Sequence, residues 1–170
     1  NVCTEITGSV RELCAAAAER CRELGYEPVL LTDHLCCEAR EAGSFLASIL
    51  RTHAGEGRRL AFIAGGETVV RLTGRGLGGR NQELALAASP GISGIPHGAV
   101  LSVGSDGTDG PTDAAGGYVD GGTLAALEEK GLEVYKVLAD NDAYHALRAV
   151  DGLIFTGPTG TNVNDVAVAL

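Results

Sequence analysis

Apolar residues at Val10, Leu13, Cys14, Ala17 and Cys21 recur at helical spacing, which predicts a helix from Ser9 to Leu24. Ser9 stands at the N-cap position with Glu12 three residues on, and Gly25 follows as a C-terminal stop. Pro28 to Thr32 is a short apolar strand. Glu38 to His53 is a second amphipathic helix with Phe45, Leu46, Ile49 and Leu50 expected to face inward. Two strands, Leu60 to Ala64 and Thr68 to Thr73, flank Gly65-Gly66-Glu67, and a short helix from Asn81 to Ala88 stops ahead of Pro90. A strand at Ala99 to Val103 leads into a long polar loop. Helices at Gly121 to Lys130 and Asn141 to Val150 follow, and Leu153 to Thr156 and Val166 to Leu170 close the chain as strands. This alternation predicts an α/β fold: a layered α/β/α-type domain with a mixed sheet and Gly-rich loops at one edge.

Composition sharpens the picture. The chain has 170 residues, enough to bury a core, and its aromatic content of 4% makes that core aliphatic. Of 25 glycines, 19 lie between Gly55 and Gly131, so they belong to particular loops rather than to a uniformly flexible chain. A formal net charge of −9 argues against a nucleic-acid partner. No apolar run approaches the roughly 20 residues of a membrane helix. Without a methionine, and opening abruptly at Asn1, the sequence reads as part of a longer protein. Five cysteines, Cys3, Cys14, Cys21, Cys36 and Cys37, carry no zinc spacing and are expected to be buried reduced thiols of a cytoplasmic protein.

Three loops hold the candidate chemistry. In the first, Gly74, Gly76 and Gly79 match G-x-G-x-x-G between a predicted strand and a predicted helix, the setting of a dinucleotide turn. Against that reading stand the short helix, the crowding by Arg75 and Arg80, and a carboxylate at Glu83 close to where pyrophosphate would lie. What survives is an anion site: free N–H groups at a helix start, with the planar fork of Arg80 beside them. The second loop, Gly104 to Gly117, carries Asp106, Asp109 and Asp113 with Thr108 and Thr112, oxygen donors suited to Mg²⁺ or to a series of Asx turns. The third, Thr156 to Asp165, has hydroxyls and amides able to bind phosphate or to satisfy their own backbone. No P-loop signature is present.

Four ordered stretches carry a resemblance: Gly65-Gly66-Glu67-Thr68, Gly78-Gly79-Arg80-Asn81-Gln82-Glu83, Ser105-Asp106-Gly107-Thr108-Asp109-Gly110, and Gly157-Pro158-Thr159-Gly160-Thr161-Asn162-Val163-Asn164-Asp165. Together they resemble the MOFRL domain, the C-terminal part of the ATP-dependent D-glycerate 2-kinases, a family often labelled hydroxypyruvate reductase. On that resemblance residues 59–170 are the MOFRL domain, and residues 1–57 are the end of the preceding N-terminal part. Cys37 stands where the family typically has glycine.

The resemblance implies transfer of phosphate from ATP to the 2-hydroxyl of glycerate, with Mg²⁺, in a cleft between two domains. The absent N-terminal domain of the same chain would contribute a lysine, and residues 1–170 alone would be inactive. Arg80 and Asp106 would be catalytic, and Asp106 and Asp109 would hold the metal. Glu67, Asn81, Glu83, Thr108, Thr159, Asn162 and Asn164 would contact substrate or nucleotide. Two alternatives stand beside it: an NAD(P)H-dependent hydroxypyruvate reductase, and a non-catalytic domain that completes a partner's cleft.

Overall fold

The computed structural model describes residues 8–170; Cys3 lies outside them. The chain runs α1 (Val10–Glu23), β1 (Glu27–Leu35), α2 (Ala39–His53), β2 (Leu60–Gly66), α3 (Arg80–Ile92), β3 (Ala99–Gly104) and β4 (Gly116–Asp120). It ends with α4 (Thr123–Glu129), α5 (Val134–Ala139), α6 (Ala143–Ala149), β5 (Leu153–Ile154) and β6 (Asp165–Ala169). One six-stranded sheet has the order β1-β2-β6-β3-β4-β5. The β1–β2 pair is parallel, and β6 is antiparallel to both β2 and β3, so the sheet is mixed. Because β2 and β3 run the same way, their C-terminal ends and the start of β6 meet at one edge, where Gly66 and Gly104 both pair with Asp165.

The period-2 alternation of β6 sorts the two faces. Val166 and Val168 point at α1, where they pack with Cys14, Cys21, Ala61 and Ile63. Ala167 and Ala169 point the other way, into a larger core with α2, α3 and the short C-terminal helices. This is the expected α/β/α layering, with α1 the one helix on its side among the described residues. The Ser9 hydroxyl does accept from the Glu12 N–H, at 3.3 Å.

Close approach of α2 and α3 explains a glycine that helix propensity would reject. A Cβ on Gly43 would lie 2.1 Å from the Leu84 carbonyl oxygen. Gly43→Ala is therefore expected to destabilise the protein by about 1–3 kcal/mol through overpacking, visible as a lowered urea midpoint at unchanged m-value. An unchanged midpoint would mean that the two helices separate freely.

Several elements differ from expectation, each for a local reason. Helix α3 runs through Pro90 to Ile92 instead of stopping at Ala88. Pro90 cannot donate to Leu86 O, and the Ser89 hydroxyl donates to that carbonyl instead, at 2.8 Å. Thr68 to Thr73 is not a strand: Val69 makes an isolated bridge with Glu38. Strand β4 lies inside the expected polar loop, and α5 is an added helix of six residues. Phe45 is 63% exposed, while Leu46 and Leu50 are buried. Cys14 and Cys21 are buried free thiols, and Cys36 is exposed. No helix of the described residues is long and apolar enough to cross a membrane.

Candidate functional site

A cleft of about 1330 Å³ opens at the sheet edge where β1 and β2 end and β6 begins. It is bounded by the start of α1, by residues 67–79 and by the N-terminus of α3. Its mouth is wide and mainly apolar, with Val69 and Leu72 exposed along one wall. Of the residues expected to bind ligand, Glu67, Arg80, Glu83 and Asn164 line it.

Arg80 is the first residue of α3 and is held from one side by Asp165, the first residue of β6. Nε donates to Asp165 Oδ2 at 2.5 Å, and Nη2 donates to Oδ1 at 3.0 Å. Nη1 lies 3.3 Å from Glu67 Oε1. Hydrogen bonding to Asp165 raises the guanidinium pKa above its already high value, so Arg80 is a permanent cation. Asp165 was not among the expected site residues; the signal available was a carboxylate at the junction of a polar loop and an apolar strand.

The N-terminus of α3 is already occupied by an anion from the protein itself. Gly79 takes the N-cap position and offers no side-chain cap. A Cβ there would lie 2.3 Å from Asp109 Cγ, so the glycine leaves room for a carboxylate arriving from the β3–β4 loop. Asp109 Oδ1 accepts from Asn81 N at 3.1 Å and from Asn81 Nδ2 at 3.2 Å, and Oδ2 accepts from Gln82 N at 2.9 Å. Both oxygens of the expected metal ligand Asp109 are thus engaged in capping a helix, in a residue only 2% exposed. The same contact fills the seat a dinucleotide pyrophosphate would need. Gly74 and Gly76 pack instead against Asp140 and Asp142.

Burial pushes the Asp109 carboxyl up to about 6 despite the N–H donors around it. A carboxyl raised in the folded state binds its proton more tightly there than in the unfolded chain. The part of its contribution to stability that is linked to this proton is full below about pH 4 and lost as pH rises through about 6, while the cap hydrogen bonds persist. The unfolding free energy of the wild type minus that of Asp109→Asn is therefore expected to fall between those pH values. A pH-independent difference would contradict this environment for Asp109.

Asn81 and Glu83 point into the protein. Asn81 Oδ1 accepts from the Ser102 hydroxyl at 2.5 Å. Glu83 Oε1 accepts from Arg40 Nε at 3.1 Å, and its Oε2 accepts from Asn141 Nδ2 at 3.0 Å. Asn141, in left-handed backbone at φ 56°, also accepts from the backbone N–H groups of Thr73 and Gly74 through Oδ1. Arg40, Glu83 and Asn141 so hold the irregular segment along the cleft wall, an ordering role that local sequence patterns did not reveal.

The remaining expected residues form a loop cluster behind Asp165. A Cβ on Gly104 would lie 3.2 Å from Asp106 Oδ1 and 3.5 Å from Asp165 Oδ1, so these carboxylates converge at the end of β3. Asp106 Oδ1 accepts from Thr108 N at 3.0 Å. Thr159 donates from its N–H to Asp106 O and from its hydroxyl to Ser105 O, tying the two loops together. Asn162 Oδ1 accepts from Asn164 N in a local turn. Thr108, Thr159 and Asn162 are exposed. Among the described residues, no group of three or more His, Cys, Asp or Glu is arranged to hold a metal ion.

A loop-edge cleft of this form, with four ordered Gly-rich stretches at its rim, invites comparison with known proteins. The profile of the MOFRL family matches residues 60–165. The chain belongs to the MOFRL family. It is 48% identical to the D-glycerate 2-kinase of Thermotoga maritima over 174 residues, covering 100% of this chain and 42% of the relative. It is 46% identical to the glycerate 2-kinase of Pyrococcus horikoshii, with 92% of this chain and 37% of the relative covered. The crystal structure of glycerate kinase from T. maritima superposes with a TM-score of 0.96 at 48% identity, covering 100% of this chain and 42% of that one. The chain therefore spans about two-fifths of the length of these relatives. The MOFRL match begins at the first residue of β2, yet β1 of this chain hydrogen-bonds directly to β2. The residues before the match thus share a sheet with those inside it.

Proposed function

We propose that this chain supplies one wall of the active cleft of an ATP-dependent glycerate 2-kinase, the rest coming from an N-terminal domain of the full-length protein. The observation that carries the reading is Arg80: a permanent cation, fixed by a buried carboxylate and facing a large cleft, in a chain 48% identical to a D-glycerate 2-kinase. The chemistry joins the 2-hydroxyl oxygen of glycerate to the γ-phosphorus of ATP as the bond to ADP breaks and the hydroxyl proton is released. Most of the catalytic work in such a transfer is positioning and charge stabilisation. Arg80 would hold the transferring phosphoryl group or the glycerate carboxylate at Nη1. Asn164 and the apolar wall of Val69 and Leu72 would bound the ligand. Glu83 and Asn81 act at one remove, by ordering the loops that carry the site.

Asp106 fits a role toward Mg²⁺: it is half-buried, its carboxylate converges with that of Asp165 at the end of β3, and its carbonyl is tied to the loop that carries Thr159 and Asn162. Asp109 does not fit, since both its oxygens serve α3. Mg²⁺ bound with ATP would neutralise charge on the phosphates, consistent with a site using one protein carboxylate plus phosphate and water oxygens. A cytoplasmic setting belongs to the same proposal and is supported by the free thiols.

The reductase alternative rests on the glycine spacing and on the family's label; the Asp109 cap occupies the phosphate seat that the spacing would need, and activity decides the label. The full-length protein is expected to form phosphoglycerate from glycerate and Mg²⁺–ATP and to leave NAD(P)H unconsumed with hydroxypyruvate. NAD(P)H oxidation above background without phosphoglycerate formation would reverse that assignment.

A further inference from the structure

Arg80 has two carboxylate partners of unequal kind. Asp165 has a side chain 7% exposed and grips Nε and Nη2 together, at the point where β2, β6 and β3 meet. Glu67 has a side chain 57% exposed and reaches Nη1 alone, at 3.3 Å. The Glu67 backbone is fixed, since its N–H donates to Leu35 O at 2.9 Å. Its side chain nevertheless lines the cleft, and the contact with Nη1 is the one ion pair it makes among the described residues. A bidentate, desolvated pair holds its geometry, whereas a single exposed contact is worth little and exchanges readily.

We propose that Glu67 is a placeholder: its carboxylate occupies the Nη1 face of Arg80 until the oxyanion of a ligand displaces it, while Asp165 remains as the positioning residue. The incoming group is a carboxylate or a phosphoryl group. The idea rests on the cleft being the substrate site and adds a direction to it: Glu67 competes with the ligand instead of recognising it. Removing Glu67's charge therefore strengthens anion binding. Removing Asp165's charge, although it also deletes a negative charge beside Arg80, weakens binding, because the guanidinium loses its orientation.

The experiment measures dissociation constants of inorganic phosphate and of glycerate, separately and without ATP, by calorimetry on the full-length protein and on Glu67→Gln and Asp165→Asn. Glu67→Gln is expected to bind the relevant anion about two- to fivefold more tightly, the range of a lost exposed ion pair. Asp165→Asn is expected to bind it more weakly. Whichever probe responds identifies the displacing group as phosphoryl or carboxylate. If Asp165→Asn does not fold, Asp165→Glu, which keeps the charge but displaces the fork, carries the same expectation of weaker binding. Unchanged or weaker binding in Glu67→Gln overturns the placeholder, as does tighter binding in both variants, which would be charge alone. A wild type that binds neither anion also overturns it. A wild type that binds phosphate with these responses yet makes no phosphoglycerate would sink the kinase reading and leave the placeholder standing.

Discussion

Arg80→Ala in the full-length protein is expected to lower kcat by about 10²–10³-fold, the size of effect seen when one preorganised donor is removed from a charge-stabilising site. The magnitude follows from the geometry. Arg80 keeps its charge at every working pH and its plane is set by the two hydrogen bonds it donates to Asp165, so little reorganisation remains at the moment of reaction. The substitution leaves Asp165 buried without its partner, which costs folding free energy. Because the Arg80 side chain is 35% exposed, water reaches the vacated site and the cost stays below the roughly 3–5 kcal/mol of a fully buried pair. Arg80→Lys separates charge from shape. Lysine keeps the cation but cannot make the fork, so most of the activity is expected to remain lost. Steady-state rates with a melting curve for each variant check both statements. Near-normal turnover in Arg80→Ala would remove this residue from the chemistry.

Asp109→Ala is expected to destabilise the protein by about 2–4 kcal/mol at neutral pH, through two uncapped backbone N–H groups and an orphaned Asn81 amide. Relief from burying a charge offsets part of that loss. For a chain of this length the change corresponds to a melting temperature lower by about 5–15 °C. Asp109→Asn, which keeps the volume and one acceptor oxygen, should lose less. The comparison separates the helix cap from the role of metal ligand that the clustered aspartates suggested. A cap loses stability with or without Mg²⁺. If Asp109→Ala melts like the wild type and instead raises the Mg²⁺ concentration needed for activity, the cap account is wrong.

How far the sequence leads can be seen residue by residue. The closing strand β6 and the Ser9 cap were legible because a short apolar run after a polar loop and a capping box are local signals. Strand β4 was hidden because Gly116-Gly117 looks like turn chemistry. Both glycines are there for close packing: a Cβ on Gly116 would lie 1.9 Å from Ser102 O, and one on Gly117 would lie 2.6 Å from Leu147 Cδ1. Thr68 to Thr73 looks like a strand because four of its six residues are β-branched, yet its hydrogen bonds go to the residues around Glu38 and to the Asn141 side chain. β-Propensity measures how well side chains suit a half-buried pleated surface, and it does not supply the strand partner.

The site shows the same division. Arg80 stood out as a fork at a helix start beside glycines, and it does face the cleft. The anion at that helix start was misattributed, because the carboxylate that fills it comes from 28 residues away in the chain. Asp165 and Asn141 carry no site role on sequence pattern alone for a related reason: each acts across the fold, on partners 85 and 68 residues distant. Residue type and spacing reveal groups able to do chemistry; which of them are spent on holding the structure emerges only when the chain is folded.

The proposed activity is phosphorylation of glycerate in this cleft, completed by the remainder of the full-length protein. Product analysis of the full-length protein with D-glycerate and Mg²⁺–ATP, resolving 2- from 3-phosphoglycerate, tests it most directly. The account predicts 2-phosphoglycerate formed in step with ADP. ADP released without phosphoglycerate, or 3-phosphoglycerate as the product, would contradict it.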